Sequence, residues 1–158
     1  MPKAHAVIDS PIGPLTAVRE GGVLIGLRMG PTDAEDLGAR DDAAFDDVRA
    51  QLDGYFAGSR TSFDLALRAS GNPLQVAVWE LIAAIPYGVT RSYGDLARDL
   101  GARTLAQAVG TACGRNPLPV VVPCHRVVGA DGSLVGFGGG LERKRFLLDL
   151  EHRDERLS

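Results

Sequence analysis

Cysteine and histidine are scarce in this sequence, with two cysteines and three histidines among 158 residues. Structural zinc sites need clusters of these residues, and small secreted folds need several disulfides. The histidines (His5, His125 and His152) and the cysteines (Cys113 and Cys124) form no such cluster in the sequence. We therefore expect neither a bound metal nor a disulfide framework.

Long apolar runs are also missing. No stretch approaches the roughly 18 apolar residues of a membrane-spanning helix, and the first residues lack the apolar segment of a signal peptide. Apolar residues make up 45% of the chain and charged residues 23%, which is typical of a globular protein with a buried core. We expect a cytoplasmic protein with no membrane partner.

Positive charge is limited and unevenly distributed. The net charge is −3, which does not favour a strongly basic nucleic-acid-binding surface. Residues 1–72 hold 7 Lys and Arg against 11 Asp and Glu, whereas residues 73–158 hold 10 and 9. Five arginines and two acids fall between Arg91 and Arg126. Any polyanion is expected to bind this segment, and an ordinary solvated surface is the alternative interpretation.

Residues 1–70 predict short strands followed by one helix. Three apolar-rich runs separated by Gly and Pro predict an antiparallel meander; they are residues 5–9, 15–19 and 23–29. The polar residues 31–42 predict a loop. Apolar residues at helical spacing between Phe45 and Phe56 predict an amphipathic helix. Alternation over residues 63–67 predicts one more strand.

Residues 71–158 have a mostly helical pattern. Three polar side chains predict helix starts: Asn72 before Pro73, Ser92 with Asp95, and Thr104 with Gln107. A short turn around Gly101 joins the last two of these helices, which is typical of a helix-turn-helix. The valines at 120–122 predict a short buried strand, and residues 141–150 predict a terminal helix.

These patterns predict two domains. Residues 1–70 are expected to form an α/β (α+β) domain with a small antiparallel sheet that supports the second domain. Residues 71–158 are expected to form a mostly α, winged helix-turn-helix-like domain.

The adjacent pair Cys124 and His125 is the sharpest chemical feature. A thiol attacks as its thiolate, and a neighbouring imidazole can accept the proton. In an extended segment the two side chains would point to opposite faces, so a turn or a bridging water is needed. On the pair alone, a buried structural thiol remains an alternative to a nucleophile.

Several separated motifs in one order resemble the O6-alkylguanine-DNA alkyltransferases, the methylated-DNA–protein-cysteine methyltransferase family. The similarity is close over residues 73–151 and looser at residues 10–15 and 55–58. The motifs are Val78-Trp79, Ile85-Pro86-Tyr87-Gly88, Ser92-Tyr93-Gly94, Asn116-Pro117, Pro123-Cys124-His125-Arg126-Val127 and Gly138-Gly139-Gly140-Leu141.

The resemblance implies a direct-reversal DNA repair protein. It implies that an O6-alkylguanine is flipped out of duplex DNA and that its alkyl group passes irreversibly to Cys124, with O4-alkylthymine as a further substrate. It also implies single turnover, no cofactor, and a monomer, several copies of which could lie side by side on DNA.

The resemblance also assigns residues by position. It implies the catalytic residues Cys124, His125 (base, through a water), Glu151 (orienting the imidazole), Asn116 (tying the turns around the cysteine) and Tyr93 (contacting the flipped base). The implied substrate pocket consists of Val127, Phe137, Gly138, Pro119 and Cys113. The implied DNA-binding residues are Gln107, Arg103, Ala106, Ala108, Arg115 and Thr104. Arg126 is interpreted as a structural brace of the turn.

Four positions depart from the family pattern, among them Leu74 and Cys113, and the other two concern DNA and substrate binding. Gln107 stands where the family has the arginine that fills the gap left by the flipped base, and Phe137 stands where it has tyrosine. Glutamine lacks the planar charge and five donors of arginine. We therefore expect weaker DNA binding and slower flipping, without loss of the chemistry.

Three other functions are weighed against alkyl transfer. A non-catalytic damage sensor that recruits other repair factors would bind the lesion and leave Cys124 unmodified. A thiol hydrolase would turn over a small ester without DNA. A helix-turn-helix regulator would bind a specific sequence, which the few polar side chains of residues 104–114 do not favour.

Overall fold

A computed structural model describes residues 2–29, 37–132 and 140–152. The chain divides into two compact units, Met1–Ala69 and Ser70–Ser158. Within the described ranges, none of the helices has the length and apolar character required to cross a bilayer.

The first unit is a small sheet with one helix. Its elements are β1 (Lys3–Ile8), β2 (Leu15–Glu20), β3 (Val23–Met29), β4 (Ala39–Arg40), a 3-10 turn (Asp42–Phe45) and α1 (Asp46–Phe56). The strand order is β3-β2-β1-β4; β1, β2 and β3 pair antiparallel, and β4 lies parallel to β1. The predicted meander and α/β class are confirmed, and part of the predicted loop at 31–42 is instead strand β4.

Two glycines close the β2–β3 hairpin. Glu20 pairs with Val23, and the two residues between them, Gly21 and Gly22, have φ angles of 58° and 86°. A two-residue hairpin loop of this kind needs positive φ at both positions, and glycine adopts it without strain. The turn therefore sets the pairing next to it, and the register shifts once between Val18 and Arg19.

The strand predicted at residues 63–67 is wrong. Only an isolated bridge between Leu24 and Leu67 forms there. The side chain of Gln51 on α1 instead binds both backbone groups of Asp64, accepting from its N–H at 2.8 Å and donating to its carbonyl at 3.0 Å. This side chain satisfies backbone groups that a strand would have paired.

The second unit is mostly helical. Its elements are α2 (Pro73–Ala83), β5 (Arg91–Ser92), α3 (Tyr93–Asp99), a 3-10 turn (Arg103–Leu105), α4 (Ala106–Gly114), a 3-10 turn (Cys124–Arg126), β6 (Val127–Val128) and α5 (Leu141–Glu151). Both α2 and α3 pack against α4, and the Trp79 indole N–H on α2 donates to the Ala112 carbonyl on α4 at 2.9 Å. The predicted helical class and helix-turn-helix are confirmed.

Two of the three predicted helix caps are present. Asn72 forms a capping box with Gln75 at the start of α2, and Ser92 forms one with Asp95 at the start of α3. The box predicted from Thr104 to Gln107 is wrong, because α4 follows a 3-10 turn and no side chain caps its first residue. The preceding turn continues directly into α4, so the helix starts without a capping side chain.

The strand predicted at residues 120–122 is also wrong. The Val122 N–H donates to the Leu118 carbonyl at 2.8 Å, which closes a tight turn. Val120 has a φ of 73°, a conformation that β-branched residues rarely adopt. Asn116 braces this turn from both sides, so local side-chain bonds override the strand preference of valine.

Candidate active site

A 3-10 turn (Cys124–Arg126) brings the cysteine and histidine together. Cys124 is 4% exposed and His125 is fully buried. The turn follows Pro123, and its last bond runs from the Val127 N–H to the Cys124 carbonyl. The backbone therefore forms one of the two arrangements, a turn or a bridging water, that the sequence predicts for this pair.

A buried carboxylate binds the other two residues of the turn. Glu151, at the end of α5, accepts from His125 Nε2 at 2.6 Å. It also accepts from Arg126 Nε at 2.8 Å and from a terminal guanidinium nitrogen at 3.0 Å. Arg126 makes a third bond to the Ile85 carbonyl at 2.7 Å. Arg126 thus braces the turn, which agrees with its structural interpretation.

Asn116 ties the backbone on the other side of the cysteine. Its side-chain NH₂ donates to the Val122 carbonyl at 2.8 Å, and its side-chain oxygen accepts from the Leu118 N–H at 2.9 Å. The Cys124 N–H in turn donates to the Val122 carbonyl. The side-chain amide of Asn116 therefore fixes the backbone of residues 118–122, which leads to Cys124.

A short parallel strand pair sets the position of Tyr93. Ser92 on β5 pairs with Val128 on β6, so α3 begins beside the strand that leaves the cysteine turn. The Tyr93 ring packs against Gly110 of α4. A methyl group at Gly110 would lie 3.9 Å from two ring carbons, which is ordinary van der Waals contact. Burial raises the pKa of the Tyr93 hydroxyl to about 12, so the hydroxyl keeps its proton at neutral pH.

Burial also sets the charge state of the cysteine and histidine. It raises the pKa of the Cys124 thiol, and the hydrogen bond with Asn116 opposes this effect. Burial lowers the pKa of His125, against the opposing effect of the Glu151 carboxylate. Both groups are therefore neutral at pH 7. Since Glu151 only accepts when ionised, Nε2 carries the imidazole hydrogen and Nδ1 is the nitrogen that can take up a proton.

The predicted substrate-pocket residues are only partly described. Val127 follows the cysteine turn and is fully buried, whereas Cys113 lies on the buried face of α4. Pro119 is partly buried in the turns braced by Asn116. Phe137 and Gly138 lie outside the described residues. Burial raises the pKa of Cys113 to about 12, so this second thiol is also protonated.

The predicted DNA-binding residues lie around the two ends of α4. Their positions are Arg103 and Thr104 in the 3-10 turn, Ala106, Gln107 and Ala108 in the first turn of α4, and Arg115 directly after it. Gln107, Thr111 and Gly114 form an exposed face of the helix. Within the described ranges, no carboxylate forms an ion pair with Arg103 or Arg115.

A groove of about 620 Å³ lies beside the start of α3. Arginines at 91, 98 and 103 line it, together with the Val128–Gly132 segment. Asp99 pairs with Arg91 at 2.7 Å, and Asp95 pairs with Arg98. Two of the three arginines in the groove are therefore paired with carboxylates, whereas Arg103 forms no ion pair with a described residue.

Sequence reasoning missed Lys144. Its side chain is fully buried, and its Nζ donates to the Val127 carbonyl at 2.6 Å. The signal was available in the helical spacing, because Lys144, Leu147, Leu148 and Glu151 repeat at three and four residues and share one face of α5. Charged residues at apolar positions of a helix mark a buried polar site.

Comparison with known proteins covers both units. Residues 73–153 match the DNA binding domain of the 6-O-methylguanine DNA methyltransferases, and residues 4–69 match their ribonuclease-like domain. A methylated-DNA–protein-cysteine methyltransferase of Mycobacterium tuberculosis is 49% identical over 150 residues, 93% of this chain and 91% of the relative. One of Methanosarcina acetivorans is 42% identical over 151 residues, 93% and 97% of the two chains.

A solved structure agrees with this class. The crystal structure of Mycobacterium tuberculosis OGT in complex with DNA superposes with a TM-score of 0.90 at 49% identity, over 95% of this chain and 93% of that chain. The two units are thus those of a DNA-acting methyltransferase that carries its acceptor on the protein. This chain belongs to the methylated-DNA–protein-cysteine methyltransferase family.

Proposed function

We propose that this protein repairs alkylated duplex DNA by moving the alkyl group of O6-alkylguanine onto Cys124 in one irreversible step. The observation that carries the proposal is that Cys124, His125 and Glu151 are all buried, with a hydrogen bond of 2.6 Å between His125 and Glu151. Family membership supports the reaction class.

The histidine supplies the base that the buried thiol needs. Burial raises the pKa of the Cys124 thiol, so thiolate does not accumulate without a proton acceptor. Glu151 holds the hydrogen on Nε2 of His125, which directs Nδ1 to the accepting role. We propose one water between the thiol and Nδ1, as the family resemblance implies.

The transfer balances without a cofactor. The sulfur electron pair of Cys124 forms a bond to the alkyl carbon while the bond between that carbon and guanine O6 breaks. The leaving guanine takes the bonding electrons and receives a proton from Tyr93, whose raised pKa keeps the hydroxyl protonated until then. The product is a thioether with no easy leaving group, so each molecule reacts once.

The substrate base must leave the DNA stack to reach this site. The O6 atom of a stacked guanine is inaccessible to a buried thiol, and extrusion costs a few kcal/mol. The carbonyls of Cys124 and Val127 are proposed to accept from the exocyclic amine of guanine. Cys113, Pro119, Phe137 and Gly138 are proposed to complete the pocket.

The exposed face of α4 is proposed to enter the minor groove. Thr111 and Gly114 on this face are small, which permits close approach, and Gln107 is proposed to contact the orphaned base. Arg103 and Arg115 flank this face and provide charge for phosphate contacts. Gln107 offers fewer donors than arginine, so we propose weaker binding to DNA than an arginine would give.

The test is the mass of the protein after mixing with duplex DNA that contains one O6-methylguanine. We expect a gain of one CH₂, once per molecule, on the tryptic peptide of residues 116–126, which contains Cys124. Trypsin places Cys113 on the separate peptide of residues 104–115, which serves as the internal control. A duplex with O4-methylthymine tests the second substrate in the same way.

Two control variants separate the competing functions. Cys124→Ala should bind the lesion but gain no mass, whereas Cys113→Ala should still gain it. A wild-type protein that binds the lesion tightly but is never alkylated would overturn the proposal in favour of the damage sensor. Repeated turnover of a small ester without DNA would instead favour the thiol hydrolase.

A further inference from the structure

Lys144 is a buried cation attached to the cysteine turn. Its side chain has no exposed surface, although lysine is almost never fully buried unless its charge is stabilised. The Nζ atom donates to the Val127 carbonyl at 2.6 Å. The Val127 N–H donates to the Cys124 carbonyl, so two consecutive hydrogen bonds connect the ammonium group to the backbone of the reacting residue.

The surroundings of this lysine both oppose and support its charged form. Its Nζ lies 5.8 Å from the centroid of the Tyr93 ring, within the range of a cation–π interaction. The Val127 carbonyl directs its negative end at the same nitrogen. Desolvation lowers the pKa of Lys144, and the charges that the two cysteine sulfurs carry when ionised oppose that effect.

We propose that the Lys144 ammonium is the counter-ion of the Cys124 thiolate during alkyl transfer, held in place by the Val127 carbonyl. The inference rests on the proposed role of Cys124 as alkyl acceptor. In the reaction Lys144 gives up neither a proton nor electrons: the thiol proton goes to His125, and the sulfur electron pair forms the new bond to carbon. Lys144 is thus a positioning residue that lowers the cost of the intermediate charge.

The other charges around the site do not replace this one. Among the described residues, the groups that interact with it are Tyr93 from α3, Cys113 from α4, and Cys124 and His125 from the cysteine turn. His125 in turn binds Glu151. Arg126 donates two bonds to Glu151, so its charge is balanced locally. The ammonium of Lys144 lowers the pKa of Cys124 and of Cys113.

The experiment measures how the reaction of Cys124 with iodoacetamide depends on pH, in the full chain and without DNA. Trypsin separates the peptides of the two cysteines, so mass spectrometry follows each one. We expect Lys144→Met to raise the midpoint of the Cys124 profile by about one pH unit, which is about a tenfold slower reaction at neutral pH. Lys144→Arg should keep the midpoint near that of the wild type.

Two further variants make the result specific. Lys144→Gln keeps a donor for the Val127 carbonyl without the charge, so it should shift the midpoint as Lys144→Met does, and it carries the test if Lys144→Met does not fold. Arg145→Gln removes an exposed cation next to it on α5 and should leave the midpoint unchanged. An unchanged midpoint in folded Lys144→Gln would overturn the inference.

The same variants, assayed with O6-methylguanine duplex, separate this inference from the proposed function. A wild-type protein that never accepts a methyl group, together with a shifted iodoacetamide midpoint, would reject the repair function and keep the counter-ion. Normal transfer in the wild type with no midpoint shift in either Lys144→Met or Lys144→Gln would reject the counter-ion alone.

Discussion

Each unit of this protein contains an arginine–carboxylate pair, and the two pairs differ in burial. In the first unit, Arg19 on β2 binds Asp47 on α1 through two bonds of 2.8 and 2.6 Å, and half of the Asp47 side chain (51%) is exposed. In the second unit, Arg126 binds Glu151 through bonds of similar length, but the two side chains are only 7% and 0% exposed. Equal geometry therefore occurs in two very different dielectric environments.

The difference shows what each pair can contribute. Arg19 is 13% exposed, but the half-exposed Asp47 is also solvated by water, so this pair adds little to stability. Water does not reach Glu151, and the desolvation of both charges must be offset by their mutual attraction and by further hydrogen bonds. Glu151 meets this condition because both of its oxygens accept from Arg126 and one also accepts from His125. A buried network of this kind makes the second unit sensitive to the loss of either charge.

The largest effect is expected when this network loses its negative charge. Glu151→Gln leaves the Arg126 guanidinium buried without a counter-charge, which costs about 3–5 kcal/mol of unfolding free energy. Urea unfolding measures the loss. Because the carboxylate also orients His125, alkyl transfer to Cys124 should fall in the same variant under conditions where it remains folded.

Two controls belong with this measurement. Asp149→Asn removes an exposed carboxylate from the same helix and should change stability by less than about 0.5 kcal/mol. The double variant Arg126→Met, Glu151→Gln removes both charges and should recover much of the lost stability, since no uncompensated ion remains. Equal stability of Glu151→Gln and the wild type would contradict the interpretation of the network.

A smaller effect is expected from pH. Burial lowers the pKa of His125 below its ordinary value of 6.5, so below pH 6.5 the unfolded chain binds a proton that the folded protein does not. Stability is therefore fully present above pH 6.5 and decreases as the pH falls towards the lowered value, with a limiting slope of about 1.4 kcal/mol per pH unit. Urea unfolding between about pH 7.5 and about pH 5.5 follows this decrease.

The matching variant is His125→Gln, which can still donate to Glu151 but does not titrate. Its unfolding free energy should depend less on pH in this window than that of the wild type. Asp47, whose pKa is lowered by the hydrogen bond from Arg19, loses its contribution only at lower pH, below its ordinary value of 3.8. Parallel curves for the wild type and His125→Gln would mean that His125 is not the group responsible.

Local patterns were enough to predict much of the fold. Gly and Pro placement gave the strands of the first unit, and the side chains of Asn72 and Ser92 marked two helix starts that the structure confirms. These signals act over three to five residues, which is why sequence reasoning captures them. The predictions at residues 63–67 and 120–122 were wrong because side chains distant in the chain or across a turn, Gln51 and Asn116, bind the backbone there.

The site was predictable in its chemistry more than in its geometry. The pair of Cys124 and His125 is adjacent in sequence, so its potential as a nucleophile and base was evident. Without the family resemblance, Glu151 would have been interpreted as a solvated helix end, yet it is buried and joins His125 to Arg126. Lys144 was not predicted, because lysine is almost never fully buried and its place on the apolar face of α5 was given no weight.

The smallest effect is expected at the exposed pair, which completes the contrast with Glu151. Asp47→Asn removes the charge opposite Arg19 and should cost at most about 1 kcal/mol, because the Asp47 side chain is half exposed and Arg19 keeps its bond to the Ala44 carbonyl. Urea unfolding in low salt and in about 1 M NaCl provides the test, since screening at high salt should remove most of the difference between the variant and the wild type. A loss of several kcal/mol that persists in high salt would mean that Arg19 behaves as a buried charge, held by Asp47, the Ala44 carbonyl and the Phe45 ring, and the contrast between the two units would then be one of degree.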